Sequence, residues 1–194
     1  MNYLVLFLFL FTAHISASAP FGIKWGESIS TYSVGKRTPE YKQVKVTFLP
    51  QNHSKAAVYY LREIPSKGIQ SVTMKTDVFD IHSSVRDELF NYFKDSLIKS
   101  GYRTLKHNEG TLSSYKCLIQ SLCYGASWSG IDKLDDMVYL KIKSIDKQLG
   151  YISIQIKSSI FLEYIATKNK KYRVHSDKIK EQDTLSFTSD FPPS

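Results

Sequence analysis

The chain has 194 residues, 42% of them hydrophobic, and a formal net charge of +8 at pH 7. That is one domain's worth of chain, long enough to bury a core without a metal or a disulfide. The basic balance speaks to solubility and attraction for anions, and by itself it names no ligand.

Residues 4 to 11 read LVLFLFLF, an unbroken apolar run, and Ala17-Ser18-Ala19 supplies the small-x-small pattern of a signal peptidase site. Met1–Ala19 is therefore expected to be a cleaved export signal. Pro20 is a poor first mature residue, so a cut one or two positions earlier is the alternative. The run is well short of the ~20 residues that a membrane anchor needs. No Cys lies beside the cut to carry a lipid. The signal holds no Asp, Glu, Lys or Arg, so the whole net charge falls on residues 20–194.

The mature chain opens Phe21-Gly22-Ile23-Lys24-Trp25-Gly26-Glu27-Ser28, which reads as a short strand or turn packed on the body of the domain. Three extended runs follow. Val44, Val46 and Phe48 alternate with polar residues, Ala57 to Ile64 is stopped by Pro65, and Ile69 to Phe79 carries Val72, Met74, Thr76 and Val78 on one parity. Short polar turns between them predict an antiparallel meander.

Over Ser83 to Ser100 the period changes to that of a helix. Val85, Leu89, Phe93 and Leu97 recur every fourth residue, with Phe90 and Ile98 widening the stripe. Ser84 with Asp87 resembles a capping box, and Gly101 stands where a left-handed C-cap residue belongs. Leu112 to Tyr124 fits either a strand or a short second helix. It contains Cys117 and Cys123, the two cysteines, six positions apart. In an oxidising compartment this pair is expected to be a structural disulfide. Closing so short a loop stabilises by roughly 2 kcal/mol on the chain-entropy view.

Val138, Leu140 and Ile142, then Ile152, Ile154 and Ile156, alternate with polar residues on either side of the turn Asp146 to Gly150. This predicts a hairpin near 137–158 with one apolar face and one wet, basic face. Ile160 to Ile165 either extends its second strand or starts a terminal element. The tail carries Lys168, Lys170, Lys171, Arg173, Lys178 and Lys180, and its end is expected to be mobile. With no repeat and no linker, residues 20–194 are read as a single α+β domain, mostly antiparallel sheet.

FGIKWGES, followed by meander, helix and late hairpin, resembles a loose group of small exported bacterial proteins of uncharacterised function. The resemblance covers those eight residues and the order of elements. It implies a periplasmic or secreted location and carries no active site.

Catalytic patterns are weak. Ser-x-x-Lys occurs at Ser33/Lys36, Ser96/Lys99, Ser113/Lys116 and Ser144/Lys147, without its S-D-N or K-T-G partners. Gly125-Ala126-Ser127-Trp128-Ser129 misses the final glycine of a nucleophile elbow and is read as a glycine-rich loop around an aromatic residue, a common place for binding surfaces. His53, His82, His107 and His175 have no metal-ligand spacing. Asp80 and His82 are read as a strand-end polar contact, and the acidic knot of Asp132, Asp135 and Asp136 as a solvated turn. Asn52-His53-Ser54 is a glycosylation sequon only in a eukaryotic host. The expectation is therefore no catalytic residue, no metal and no cofactor.

By parity, Lys141, Lys143 and Lys157 share the wet face of the hairpin with Tyr139 and Tyr151. Such a face suits polyanions or stacked rings. Export favours an envelope polymer or envelope protein as its partner over nucleic acid. The reading is a non-enzymatic envelope binding module using these five residues and the loop around Trp128. The alternatives are a cell-wall hydrolase built on acids such as Asp80 or Glu27, and a structural subunit of an envelope assembly.

Overall fold

The computed structural model describes residues 20–32, 36–37, 42–110 and 124–170. The expected signal Met1–Ala19, Cys117 and Cys123, most of Leu112 to Tyr124 and the tail beyond residue 170 lie outside the described residues.

The described elements, in chain order, are β1 Lys36–Arg37, β2 Lys42–Val46, β3 Val58–Ile64, β4 Gly68–Lys75, β5 Phe79–Asp80, α1 Val85–Lys99, β6 Arg103–Asn108, β7 Tyr124–Ile131, β8 Met137–Ser144 and β9 Leu149–Lys157. A second helix, α2, covers residues 159–170. All strands join one antiparallel sheet in the order β1-β2-β3-β4-β9-β8-β7-β6, with the short β5 also pairing β9. The fold is α+β and mostly antiparallel. No helix among the described residues is long and apolar enough to cross a membrane.

Alternation decides which side of each strand is buried. Val44, Leu61, Val72, Ile156 and Val138 fall in one cross-strand row, and Tyr59, Met74, Ile154, Leu140 and Trp128 in the next. All are buried. Helix α1 lies on this inner face and inserts Phe90 and Phe93, whose burial stabilises by about 1.5–3 kcal/mol each. Leu89 and Leu97 are half-buried beside them, whereas Val85 and Ile98 are exposed, so the buried stripe is narrower than the sequence pattern.

The start of α1 differs from the capping-box expectation. Ser84 is itself helical and makes no side-chain cap. Asp80 organises the entry instead: its Oδ1 accepts the His82 N–H at 2.9 Å, and its carbonyl accepts the Ser83 hydroxyl at 2.7 Å. Asp87 is occupied by Arg86, with an N–O distance of 2.6 Å. The end follows the expectation. Gly101 has φ 100°, and the N–H groups of Gly101 and Tyr102 donate back to the carbonyls of Ile98 and Leu97.

The third predicted strand is cut short at Lys75. Thr76 turns its hydroxyl to accept the Ile152 N–H and to donate to the Asp77 carbonyl, which leaves Val78 52% exposed and starts β5 afresh. The segment Phe21 to Ser28 packs on the domain as expected. Ile23 is buried, and Gly26 and Glu27 exchange backbone hydrogen bonds with Ile69. Gly68, at φ 67°, lets the two backbones meet; a Cβ there would stand 2.1 Å from the Gly26 carbonyl oxygen. Residues 160–165 begin the terminal element α2 rather than extending β9.

Candidate functional site

The outer face of the sheet is built by the same register that buries the inner one. Across β3, β4, β9 and β8 the outward rows are Arg62–Ser71–Lys157–Met137, Tyr60–Thr73–Gln155–Tyr139 and Val58–Lys75–Ser153–Lys141, with Tyr151 opposite Lys143 beyond them. Short side chains thus occupy much of the middle strands, and long ones stand around them. The result is a trough of about 410 Å³. Thr73, Ser153 and Gln155 form its floor, with the Gln155 amide donating to the Thr73 hydroxyl at 3.2 Å.

Five cations line it, Arg62, Lys75, Lys141, Lys143 and Lys157, and among the described residues no acid lines it. Lys75 Nζ lies 4.9 Å from the Tyr60 ring centre and 4.7 Å from that of Tyr151. Lys157 Nζ lies 4.6 Å from the ring centre of Tyr139. Ring faces carry partial negative charge and hold these ammonium groups in place. Arg62 Nε donates to Gln43 Oε1 at 2.8 Å. Burial, then the neighbouring charges of Arg62 and Lys141, hold the Lys157 ammonium below the ordinary lysine range. The trough is thus a region of concentrated positive charge that an anion would relieve.

Lys141, Lys143, Lys157, Tyr139 and Tyr151 all line this one trough. Trp128 does not. It lies on β7, 2% exposed, on the inner face, where its Nε1 donates to Thr104 Oγ1 at 3.0 Å. The glycines beside it make room instead of bending a loop. A Cβ on Gly130 would stand 2.5 Å from the Trp128 ring, and one on Gly125 would stand 2.4 Å from Ile142 Cβ. Arg62 and Lys75 belong to the trough but were not legible as site residues, because they enter it only through the β4–β9 pairing.

The remaining candidates are dispersed. His82 Nε2 is 2.9 Å from the Lys147 carbonyl, so Asp80 and His82 make a strand-end contact. Glu27 accepts the Tyr32 hydroxyl at 3.0 Å; burial, together with this carboxylate, pushes the Tyr32 phenol up to about 12. Among the described residues no group of three or more His, Cys, Asp or Glu is arranged to hold a metal.

The acidic turn departs from the solvated reading. Asp132 Oδ1 accepts the N–H groups of Leu134 and Asp136 at 2.8 and 3.0 Å. Asp135 is exposed, but Asp136 is only 5% exposed. Its Oδ2 accepts the Trp25 indole N–H at 2.6 Å, and its Oδ1 accepts the Ser159 N–H at 3.2 Å. Burial raises the Asp136 carboxyl above its usual range, Trp25 and Ser159 pull it back, and the charges of Asp132 and Asp135 raise it again.

No protein-family model, curated protein or solved structure matches the chain.

Proposed function

We propose that this is an exported, non-enzymatic protein of the cell envelope that holds an anionic envelope polymer in the trough on its outer sheet face. The observation that carries the reading is the gathering of five cations and two tyrosines, Tyr139 and Tyr151, around a floor of hydroxyl and amide groups, with no acid among the described lining residues. Lys141 and Lys143 are two residues apart on one strand, a spacing of about 7 Å. Lys75 and Lys141 flank Ser153 across three strands, about 10 Å apart. One small anion cannot reach all of these charges, whereas a chain of repeating anionic groups can follow the trough. The hydroxyl and amide floor adds donors for the uncharged parts of such a chain.

A hydrolase built on Asp80 or Glu27 receives no support from the geometry, since neither carboxylate lines the trough and each is engaged in a local turn. The test is retention of the mature protein on immobilised lipopolysaccharide and on sacculi bearing anionic polymer. Retention should fall as salt rises and should vanish in the triple variant Lys141→Glu, Lys143→Glu, Lys157→Glu. Retention unchanged in that variant, or none by the parent protein on either material, refutes the reading.

A further inference from the structure

On the opposite side of the sheet lies a second cavity, also about 410 Å³, between Pro20 and Phe21, the last turns of α1 and the inner face. That volume falls in the range of small-molecule sites. Its deep wall is apolar, formed by Met74, Phe93, Ile154 and Ile156, all buried. Gln51 and Ser100, both exposed, stand at its rim. Its polar end consists of Asp132 and Asp136 with the Tyr102 phenol, and among the described residues no Lys or Arg lines it. In a chain of net charge +8, this is a cavity of the opposite sign.

We propose that this cavity binds a small organic cation, a protonated amine carried on an apolar or aromatic body. The carboxylates are placed for it. The Asp132 turn uses Oδ1, which leaves Oδ2 without a donor among the described residues. Each oxygen of Asp136 takes one protein N–H, and a carboxylate oxygen has room for a second. The local field is negative: burial and then the charges of Asp132 and Asp136 push the Tyr102 phenol far up.

The other titratable group of the lining adds no cation to oppose this. His53 accepts the Lys55 N–H on Nδ1 at 3.0 Å, so its remaining proton sits on Nε2, and burial and the Lys55 charge hold its pKa below 6.5. The imidazole is neutral near physiological pH. The aromatic side chains of Phe21, Phe93 and Tyr102 also line the cavity and suit an aromatic body. An anion of the same shape would meet two carboxylates with no counter-charge.

This site is separate from the basic trough, and its test is independent of it. Phenethylamine, phenethyl alcohol and hydrocinnamate present nearly one shape with a cation, a neutral group and an anion. Each is titrated near neutral pH into the mature protein, followed by calorimetry and amide NMR. The amine should bind saturably and shift the signals of Leu97, Tyr102, Asp132 and the Trp25 indole. The alcohol should bind about tenfold more weakly or worse, as the loss of a charge-assisted contact requires, and the anion should not compete. Asp132→Asn keeps the turn acceptor and should weaken the amine about tenfold while leaving the alcohol unchanged. Leu97→Trp, which fills the cavity from α1, should abolish binding and serves if the asparagine variant does not fold. Absence of saturable amine binding overturns the inference. So do equal affinities for amine and alcohol, amine affinity unchanged in both variants, or shifts confined to the outer face.

Discussion

Replacing Trp25 by Phe separates a hydrogen bond from the packing around it. The indole is half-buried and its N–H reaches Asp136 Oδ2 at 2.6 Å, across 111 residues of sequence. Phe keeps most of the ring contact and deletes the donor. A hydrogen bond to a charged group contributes about 1.5–3 kcal/mol, and one to a neutral group about 0.5–1.5 kcal/mol. The cost of the substitution therefore depends on whether Asp136 is ionised. Its carboxyl is raised above 3.8 in the folded protein, so the folded state holds this proton to higher pH than the unfolded chain does. The stability contributed by this group is complete at low pH and declines as pH rises through the folded value. The indole donor holds that value down, so removing it raises the value further and carries the decline to higher pH. Trp25→Phe should lower Tm by about 3–12 °C near neutral pH, at roughly 2–4 °C per kcal/mol for a domain of this size. In acid, below the raised folded-state value, where the carboxyl is protonated, the loss should shrink by about 1 kcal/mol. Thermal melts at both pH values, repeated in an Asp136→Asn background, measure this. Equal losses at the two pH values, or a full loss in the asparagine background, would refute the reasoning.

Other consequences are as concrete. Binding of an anionic polymer should raise the depressed Lys157 pKa, so the complex takes up protons and affinity falls as pH rises through the free-state value; titrations at a series of alkaline pH values read this directly. Gly130→Ala puts a methyl group 2.5 Å from the Trp128 ring and should cost about 1–3 kcal/mol in denaturant unfolding. Gly68 and Gly101 both have positive φ but differ in surroundings. Gly101→Ala meets nothing within 4 Å and should cost only the backbone penalty of roughly 1–2 kcal/mol. Gly68→Ala collides with the Gly26 backbone and should lower Tm several times further in parallel melts.

Local periodicity made the meander, helix α1 and the β8–β9 hairpin legible, because each closes its hydrogen bonds within a short stretch of chain. It also placed Lys141, Lys143, Lys157, Tyr139 and Tyr151 on one face, since strand parity alone decides that. What it could not supply was the pairing of β4 with β9, whose Thr73 and Gln155 are 82 residues apart. Without that pairing Arg62 and Lys75 look like unrelated surface charges. Trp128 was misread because glycine is ambiguous in sequence. The residue that frees a loop is also the residue that leaves space for an indole inside a sheet. Asp136 was misread for a related reason: an acidic cluster looks solvated until a distant Trp25 is found bonded to one of its members.

The β4–β9 seam also sets an order of events. Synthesis delivers the N-terminal half first, so β4 exists for some 80 residues of further growth with one edge unpaired. Its own Val72 and Met74 are fully buried in the finished protein, and their partners Ile156 and Ile154 are absent until β9 arrives. Such an edge is a template for pairing with another chain. The contacts that protect it are the long-range ones that form slowly. The incomplete chain is thus the vulnerable species, and anything that holds it extended until Lys157 has been added would protect it from self-association.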